Sequence, residues 1–450
     1  MTPLIVTEEF NTQAFEDNDK VKIIKNAVFA GADTSAIRNK VEDLPEEQLK
    51  AEIAKHSEKL IENEFWYYTE NEAIKLSSSR FKNYLGSNNV SKYYPNEDSG
   101  FLFIKKDSNF IKEFDENRIK DFVLNDLQKR SEIGAFELCA DNTRFFKSDF
   151  LSMLNTSQID IQRDTKKSAY IYYQNTALEI TKDSINQIPY KEIQGLVWEN
   201  QVIKRDFVAA PESEGEFKTF LWKIAGEQVD RYSSFKSVIG YLLHSYQNEG
   251  KPKVIIFNDE MISDVPNGGS GKGLIHKAIS HIKRLSTING KGFDPNKTFA
   301  YQTVSTDTQV LLFDDIDKNF KFENLFSVVT EGLIIEKKGK DAIKIPFAES
   351  PKISITTNYT VQGEGSSHNR RVFEVEMSNY FSDKHTPEDE FKHLLFTDWD
   401  SDEWAKFDNF MIRCVQYYLE YGLVDYDRIN LGEKKLKDAT NTDFIEFMDS

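Results

Sequence analysis

Three short apolar segments between residues 253 and 357 constrain the fold of this chain most strongly. They are KVIIF (253–257), VLLF (310–313) and KISITT (352–357), and each leads into polar side chains. Runs of this length, rich in β-branched and aromatic residues, are typical of buried strands. In a parallel sheet the carboxyl ends of the strands share one edge, where ligands bind. The sequence therefore predicts an α/β domain with a parallel-sheet core and polar groups along one edge.

A glycine-rich segment, PNGGSGKG (266–273), lies between the first two predicted strands. Its glycines allow the backbone to fold around phosphates with N–H groups pointing inward. A helix beginning near Lys272 adds its positive end, and the Lys272 side chain adds a charge. The predicted nucleotide-binding residues are Asn267, Gly268, Gly269, Ser270, Gly271, Lys272 and Gly273. A flexible glycine loop before a helix is the alternative interpretation.

The segment departs from the usual phosphate-loop pattern, G-x-x-x-x-G-K-[ST], at two positions. Pro266 stands where the first glycine belongs, and Gly273 stands where a hydroxyl that binds Mg²⁺ belongs. The segment NDEMISDVP (258–266) also lies between the preceding strand and the glycine-rich loop. The sequence thus predicts phosphate contact by Lys272 and leaves the way in which Mg²⁺ is held open.

Acidic and amide side chains follow the second and third predicted strands. Asp314 and Asp315 come directly after Phe313, and Asn358 comes directly after Thr357. One acid, Asp314, is the candidate ligand of Mg²⁺, and the other can orient an attacking water. Asn358 can hydrogen-bond a γ-phosphate or that water. A surface turn and a strand-terminating asparagine are the alternatives for these residues.

Two arginines, Arg370 and Arg371, precede an alternating segment, VFEVE (372–376). Arginine stabilises the charge of a phosphoryl transition state, often from a neighbouring subunit. The sequence does not decide which arginine acts, and a pair of surface arginines is the alternative. Between the acids and Asn358, two short apolar stretches flank Lys337, Lys338, Gly339 and Lys340, which predicts a hairpin with a basic tip.

Together these segments resemble the motor domain of superfamily 3 helicases, an AAA+-like ATPase. GGSGKG resembles motif A, VLLFDD motif B, EGLIIEKKGKDAIKIPF motif B′ and PKISITTN motif C. The resemblance implies ATP and Mg²⁺ as cofactors and a hexameric ring. It also implies that Lys337, Lys338 and Lys340 grip single-stranded DNA in a central pore.

Weaker similarity extends along most of the rest of the chain. Segments 65–93, 166–181 and 193–207 resemble the region that precedes the motor in poxvirus-type and phage primase–helicases. This resemblance implies replication of a phage or mobile element, with a primase or other replication proteins as possible partners. No acidic triad of the primase type is found, so primase activity is not predicted. Relatives often carry a winged-helix module beyond this point, and we expect the natural protein to be longer or to lack it.

The overall charge does not point to nucleic acid, since the formal net charge is −17. Local charge is different: a basic run comprises His276, Lys277, His281, Lys283 and Arg284.

No apolar run approaches the roughly 18 residues of a membrane span. The two cysteines, Cys139 and Cys414, lie far apart, which predicts neither disulfide nor zinc site and agrees with the cytoplasm of a bacterial or phage-infected cell. The aromatic run 65–68 is interpreted as core.

Composition and pattern predict five segments. They are a helical N-terminal segment (1–62), a mixed α/β pre-motor domain (63–195), a helical connector (196–250), the ATPase domain (251–385) and a C-terminal helical segment (386–450). The predicted function is an ATP-dependent DNA helicase. One alternative is a degenerate phosphate-loop protein that assembles on DNA or a partner without unwinding. Another keeps the ATPase but uses it in defence or DNA packaging.

Overall fold

The structure is a computed structural model, and it describes residues 64–69, 73–211, 213–260, 269–317, 320–359, 368 and 370–428, with Pro45 and Gln48. Nearly all of the predicted N-terminal helical segment, and the predicted loop residues Asn267 and Gly268, lie outside these residues. The chain divides into two compact units, residues 1–94 with 101–159 and residues 95–100 with 160–450. The division thus falls at residue 159, whereas the sequence placed the end of the pre-motor domain at residue 195.

In its described residues, the first unit combines short strands with four α-helices. Its elements are β1 (Trp66–Tyr68), β2 (Ile74–Leu76), α1 (Ser78–Ser87), β3 (Val90–Tyr93), β4 (Leu102–Asp107), β5 (Phe110–Glu113), α2 (Glu116–Lys129), α3 (Ile133–Asp141) and α4 (Ser148–Leu151). β1 pairs with β2, and β3, β4 and β5 form an antiparallel meander. Phe65 and Trp66 are buried beside Phe81 and Tyr84, which confirms their interpretation as core.

The second unit begins with a small mixed sheet and two helices. Its first elements are β6 (Ser168–Tyr173), β7 (Ala177–Thr181), β8 (Ile185–Ile188), β9 (Val197–Trp198), β10 (Val202–Ile203), α5 (Glu216–Ile224) and α6 (Val229–Leu243). In this sheet β10 is parallel to β6, whereas β6, β7 and β8 are antiparallel neighbours.

A five-stranded parallel sheet forms the centre of the second unit. The remaining elements are β11 (Val254–Asp259), α7 (Lys272–Ser280), β12 (Leu285–Asn289), β13 (Val310–Ile316), α8 (Phe326–Thr330), β14 (Gly332–Ile335), β15 (Ile343–Pro346), β16 (Lys352–Thr357), β17 (Val372–Met377), α9 (Pro387–Phe391) and α10 (Ser401–Tyr421). The strand order is β12-β13-β16-β11-β17, and all neighbours run parallel. The predicted α/β class with a parallel-sheet core is confirmed.

One apolar core joins the parallel sheet to the helices on either side of it in sequence. Buried residues of β6, β7, α5, α6, β11, α7, β17 and α10 belong to a single cluster. α6 and α10 approach so closely that a Cβ on Gly240 would lie 2.1 Å from the carbonyl oxygen of Cys414. The predicted connector and C-terminal segment are therefore integral to the body that contains the parallel sheet. No helix in the described part of the chain is long and apolar enough to span a membrane.

Candidate functional site

Lys272 lies at the centre of a polar cluster at the carboxyl edge of the parallel sheet. Its ammonium nitrogen is 2.7 Å from Asp259 Oδ2, 3.0 Å from the carbonyl oxygen of Thr357 and 2.5 Å from Asn358 Oδ1. The side chains of Lys272 and Asp259 are only 14% and 13% exposed, so their ion pair is largely shielded from water. Because an ammonium group has three donors, these acceptors satisfy it fully. One side chain thus ties the start of α7 to the ends of β11 and β16.

The described part of the glycine-rich loop adopts a backbone that few residues tolerate. Gly269 and Gly271 have φ angles of +102° and +99°, in the region that favours glycine. A Cβ on Gly271 would also lie 2.8 Å from the Phe220 ring in α5. Between them, Ser270 is 8% exposed, and its hydroxyl has no hydrogen-bond partner among the described residues. A buried hydroxyl of this kind beside a helix N-terminus is suited to donate to a bound anion.

The two predicted acids lie in a β-bulge. β13 and β16 pair in register as far as Phe313 and Ile355, and the register then shifts by one residue. Asp315 has a φ of +58° at this point. The hydroxyl of Thr356 donates to Asp314 Oδ1 at 2.6 Å and accepts the backbone N–H of Asp315 at 2.8 Å. Bulges re-aim side chains at strand ends, and here one threonine of the neighbouring strand holds both acids.

Asp315 connects the acids to the Lys272 cluster. Its Oδ1 is 3.5 Å from Asn358 Nδ2, and its Oδ2 is 2.8 Å from Lys291 Nζ. Asn358 in turn contacts Lys272 through its other amide atom. The structure therefore brings Lys272, Asp315 and Asn358 into one hydrogen-bonded network, with Asp314 beside it.

A buried histidine fixes α7 on the sheet. His276 Nδ1 lies 2.9 Å from the carbonyl oxygen of Lys272, and Nε2 lies 2.7 Å from Ser354 Oγ. Burial lowers the pKa of His276 to about 4, so the ring is neutral at neutral pH. Because the carbonyl can only accept, Nδ1 donates and Nε2 accepts from Ser354. This neutral bridge sets the position of Lys272 relative to β16.

The oxygens around Asp314 fit Mg²⁺ bound together with a nucleotide. Carboxylate and phosphate oxygens are its usual ligands, and Mg²⁺ is commonly held by one or two carboxylates plus phosphates. Asp314 is exposed to solvent, and its Oδ1 is oriented by Thr356. Within the described ranges, no three His, Cys, Asp or Glu side chains are grouped to hold a metal unaided. The arrangement suits an ion that arrives with phosphates.

The predicted arginines are not brought to this cluster. They directly precede β17, whose first residue, Val372, pairs with Val254 at the start of β11, whereas Asp259 ends that strand. Arg371 packs its guanidinium 4.8 Å from the centre of the Phe326 ring. The five residue steps from Val254 to Asp259 separate the two edges by about 17 Å. Arg370 and Arg371 therefore do not act in the Lys272 site of their own subunit, and a role in a neighbour's site stays a prediction.

The predicted basic hairpin is confirmed as a hairpin. β14 and β15 pair antiparallel from Gly332 opposite Pro346 to Ile335 opposite Ile343. Gly339 at the tip has a φ of +72°, and Lys338 and Lys340 are exposed while Lys337 is half-buried. The described hydrogen bonds of Lys272 go to Asp259, Thr357 and Asn358 and not to the hairpin tip. The tip is therefore treated as a basic surface distinct from the Lys272 cluster.

Three residues of the site were missed by the sequence analysis. Asp259 could have been found as a third acid at a strand end, but the strand was expected to stop at Phe257 because Asn and Asp are depleted in strands. Thr356 was identified only as a strand residue. Lys291 follows β12, and no pattern in the sequence signals its approach to Asp315.

Comparison with known proteins gives a weak structural likeness. No protein-family model and no curated protein matches the sequence. The apo structure of the NrS-1 C-terminal region is 13% identical, with a TM-score of 0.42, and the match covers 79% of this chain and 73% of that one. An A-form apo structure of the same NrS-1 region is 12% identical, with a TM-score of 0.40, covering 79% and 72% of the two chains. At this level of similarity the comparison assigns neither a family nor a function.

Proposed function

We propose that this protein is an ATPase that couples hydrolysis to movement on single-stranded DNA, as a helicase of the superfamily 3 type. The observation that carries the proposal is the network in which Lys272 contacts both Asp259 and Asn358 while Asn358 contacts Asp315. Three strand ends and one helix N-terminus contribute to it. This is a combination of a cation for phosphates, acids for Mg²⁺ and water, and an amide that can sense the γ-phosphate.

Each group has a defined role in the proposed reaction. The loop at Gly269–Gly271 and the N-terminus of α7 bind the phosphates, and Lys272 neutralises the outer ones. Asp314 would hold Mg²⁺ together with the phosphates, and the ion would supply positive charge that stabilises the negative charge developing on them. Asp315 orients the attacking water, and Asn358 lies between that carboxylate and Lys272. In the structure Lys272 is satisfied by protein acceptors, so nucleotide binding must exchange at least one of them for a phosphate oxygen.

The missing hydroxyl at Gly273 gives a direct test of the metal role. No atom lies within 4 Å of a Cβ built at Gly273, so Gly273→Ser is accommodated. Serine is also about 0.5 kcal/mol more favourable than glycine inside a helix. We expect Gly273→Ser to bind a fluorescent ATP analogue more tightly than Gly273→Ala when Mg²⁺ is present and equally when Mg²⁺ is chelated. Equal affinities with Mg²⁺ would contradict a metal site at this end of α7.

The glycine at position 273, where the usual pattern has a hydroxyl, also favours one alternative function. In that alternative the protein binds nucleotide in order to assemble on DNA or a partner and does not hydrolyse it. The two proposals differ in a measurable way. Phosphate release by the wild type that depends on Mg²⁺ supports the motor, and tight nucleotide binding with no release supports the assembly role.

The DNA partner is proposed from the hairpin tip. Three lysines on one projecting turn form a site for a polyanion that needs no sequence specificity. We expect Lys338→Ala with Lys340→Ala to keep the basal ATPase rate and to lose its stimulation by single-stranded DNA. Lys166→Ala with Lys167→Ala removes two exposed lysines elsewhere and is the matched control. Normal DNA stimulation in the hairpin variant would contradict the assignment.

We propose a ring because Arg370 and Arg371 lie at the edge of the parallel sheet opposite the Lys272 cluster, so that they can act only in the site of another subunit. Arg370 is exposed and can reach a neighbouring subunit, where it would complete the nucleotide site. When wild-type and Arg370→Ala subunits are mixed, the ATPase activity should therefore fall by more than the dilution of the wild-type subunits alone would cause.

A further inference from the structure

An open groove lined by cations lies at the amino edge of the parallel sheet, away from the nucleotide site. It has a volume of about 600 Å³ and is bounded by residues 200–205, residues 280–285 and Trp404. Four of the residues that line it are cations, namely Lys204, Arg205, Lys283 and Arg284, and none is an acid. The groove is thus locally basic in a chain with 74 acids and only 57 lysines and arginines.

The acids that balance these cations lie behind them. Arg205 pairs with Asp408, Lys283 lies 3.9 Å from Asp164, and Arg284 lies 3.9 Å from Asp307. The side chains of these acids are at most 5% exposed, and they do not line the groove. The groove therefore presents donors to solvent, while the compensating carboxylates are shielded from any ligand.

The cations differ in how much donor capacity they retain. Lys283 is buried and donates to the carbonyl oxygen of Tyr170, and Arg205 is held by Asp408 and stacks on Trp404 at 4.4 Å. Lys204 is exposed, and Arg284 is 47% exposed. Lys204 and Arg284 are thus the two side chains free to reach a ligand. His281 adds no charge, because burial, assisted by Arg205 and Lys277, lowers its pKa to about 4.

The groove borders the C-terminal end of α7, where the negative end of the helix dipole disfavours an anion. The cations of the groove offset this negative charge. α7 ends at Ser280, and Arg205 Nη1 lies 3.3 Å from the carbonyl oxygen of His281 just beyond it. Lys277 adds a positive charge to the last turn. The same helix begins at Lys272, and its nine residues span about 13 Å. A ligand in the groove would therefore lie one rigid helix away from the nucleotide site.

We propose that this groove binds the phosphodiester backbone of single-stranded DNA, as a second contact besides the hairpin, through Lys204 and Arg284. The identification of the ligand as DNA rests on the proposed function. A free phosphate compound offers the same chemistry, so pyrophosphate is tested in parallel.

The test measures binding of a labelled oligothymidylate by fluorescence anisotropy between about 50 and 200 mM salt, without nucleotide. Replacing Lys204 and Arg284 together by glutamine removes two phosphate contacts. We expect the slope of log affinity against log salt to fall in magnitude by about 1.4, since each contact to a single strand contributes about 0.7. Replacing both residues by the other basic residue, Lys204→Arg with Arg284→Lys, should restore most of the slope. Lys166→Gln with Lys167→Gln is the charge-matched control and should leave it unchanged.

Three results overturn the inference. The first is a salt slope in the glutamine variant equal to that of the control. The second is equal weakening in the glutamine and control variants, which would indicate a general charge effect. The third is a loss of pyrophosphate binding, measured by calorimetry, with DNA binding intact, which would make the groove a small-anion site. If the wild type does not bind the oligonucleotide at all, the proposed function fails together with it, whereas the three results above leave the hairpin and ATPase assignments standing.

Discussion

Replacing Lys272 by alanine is expected to weaken nucleotide binding strongly and to abolish ATP turnover. The substitution removes the cation and its charge-assisted hydrogen bonds to the phosphates, each worth about 1.5–3 kcal/mol. Affinity for ATP should therefore fall by about 10- to 100-fold, with loss of phosphate release. Titration of a fluorescent ATP analogue and a phosphate-release assay measure the two effects.

The Lys272 experiment needs a control for folding, because the substitution also leaves the Asp259 carboxylate without its cation. That carboxylate is only 13% exposed, and removing the cation that compensates a largely buried acid destabilises a protein. Lys272→Met with Asp259→Asn removes both charges and should recover the unfolding temperature but not ATP binding. Lys277→Ala, on an exposed position of the same helix, should bind ATP normally. Recovery of ATP binding in the double variant would contradict the role of Lys272.

Replacing Asp315 by asparagine is expected to preserve ATP binding and to lower turnover by about 10²- to 10⁴-fold. The range is that of a lost general base or water-orienting group. Asparagine suits the fold here, because with a φ of +58° it is among the few residues other than glycine that accept the left-handed region. The Lys291 side chain that pairs with Asp315 is 66% exposed, so loss of that ion pair contributes little to stability.

The control for Asp315 separates chemistry from geometry. Asp315→Ala also removes the carboxylate but places alanine at a strained backbone position, so it should lose stability as well as turnover. Lys291→Ala removes the partner of Asp315 and leaves the carboxylate in place. We expect Lys291→Ala to retain most of the activity, measured as single-turnover phosphate release. An Asp315→Asn variant that hydrolyses ATP at the wild-type rate would show that the water is oriented elsewhere.

The sequence predicted the strands and turns that form the site better than it predicted how neighbouring strands pair and which side chains contact each other. β16 and the basic hairpin follow from apolar runs and a glycine turn, since these patterns are local. β13 was expected to end at Phe313 but continues to Ile316 through a bulge that carries both acids. A bulge depends on how the neighbouring strand pairs, and local pattern carries no information about it.

Contacts between distant segments were the part that the sequence could not supply. Lys291 reaches Asp315 across two adjacent strand ends, and Thr356 holds both acids from the neighbouring strand. The run of residues beginning at His276 was described as basic from its residue types, but the structure shows that His276 is buried and neutral and that Lys283 faces Asp164. Such outcomes are set by packing around each side chain rather than by its residue type.

The central claim is that the cluster around Lys272 hydrolyses ATP in response to DNA, and steady-state phosphate release by the wild-type protein tests it most directly. The assay is run with and without Mg²⁺ and with and without a single-stranded oligonucleotide, and Lys272→Met with Asp259→Asn serves as the folded inactive reference. The account predicts release that requires Mg²⁺, rises on addition of the oligonucleotide and is absent from the reference. Release by the wild type that is no greater than that of the reference under all four conditions would contradict it.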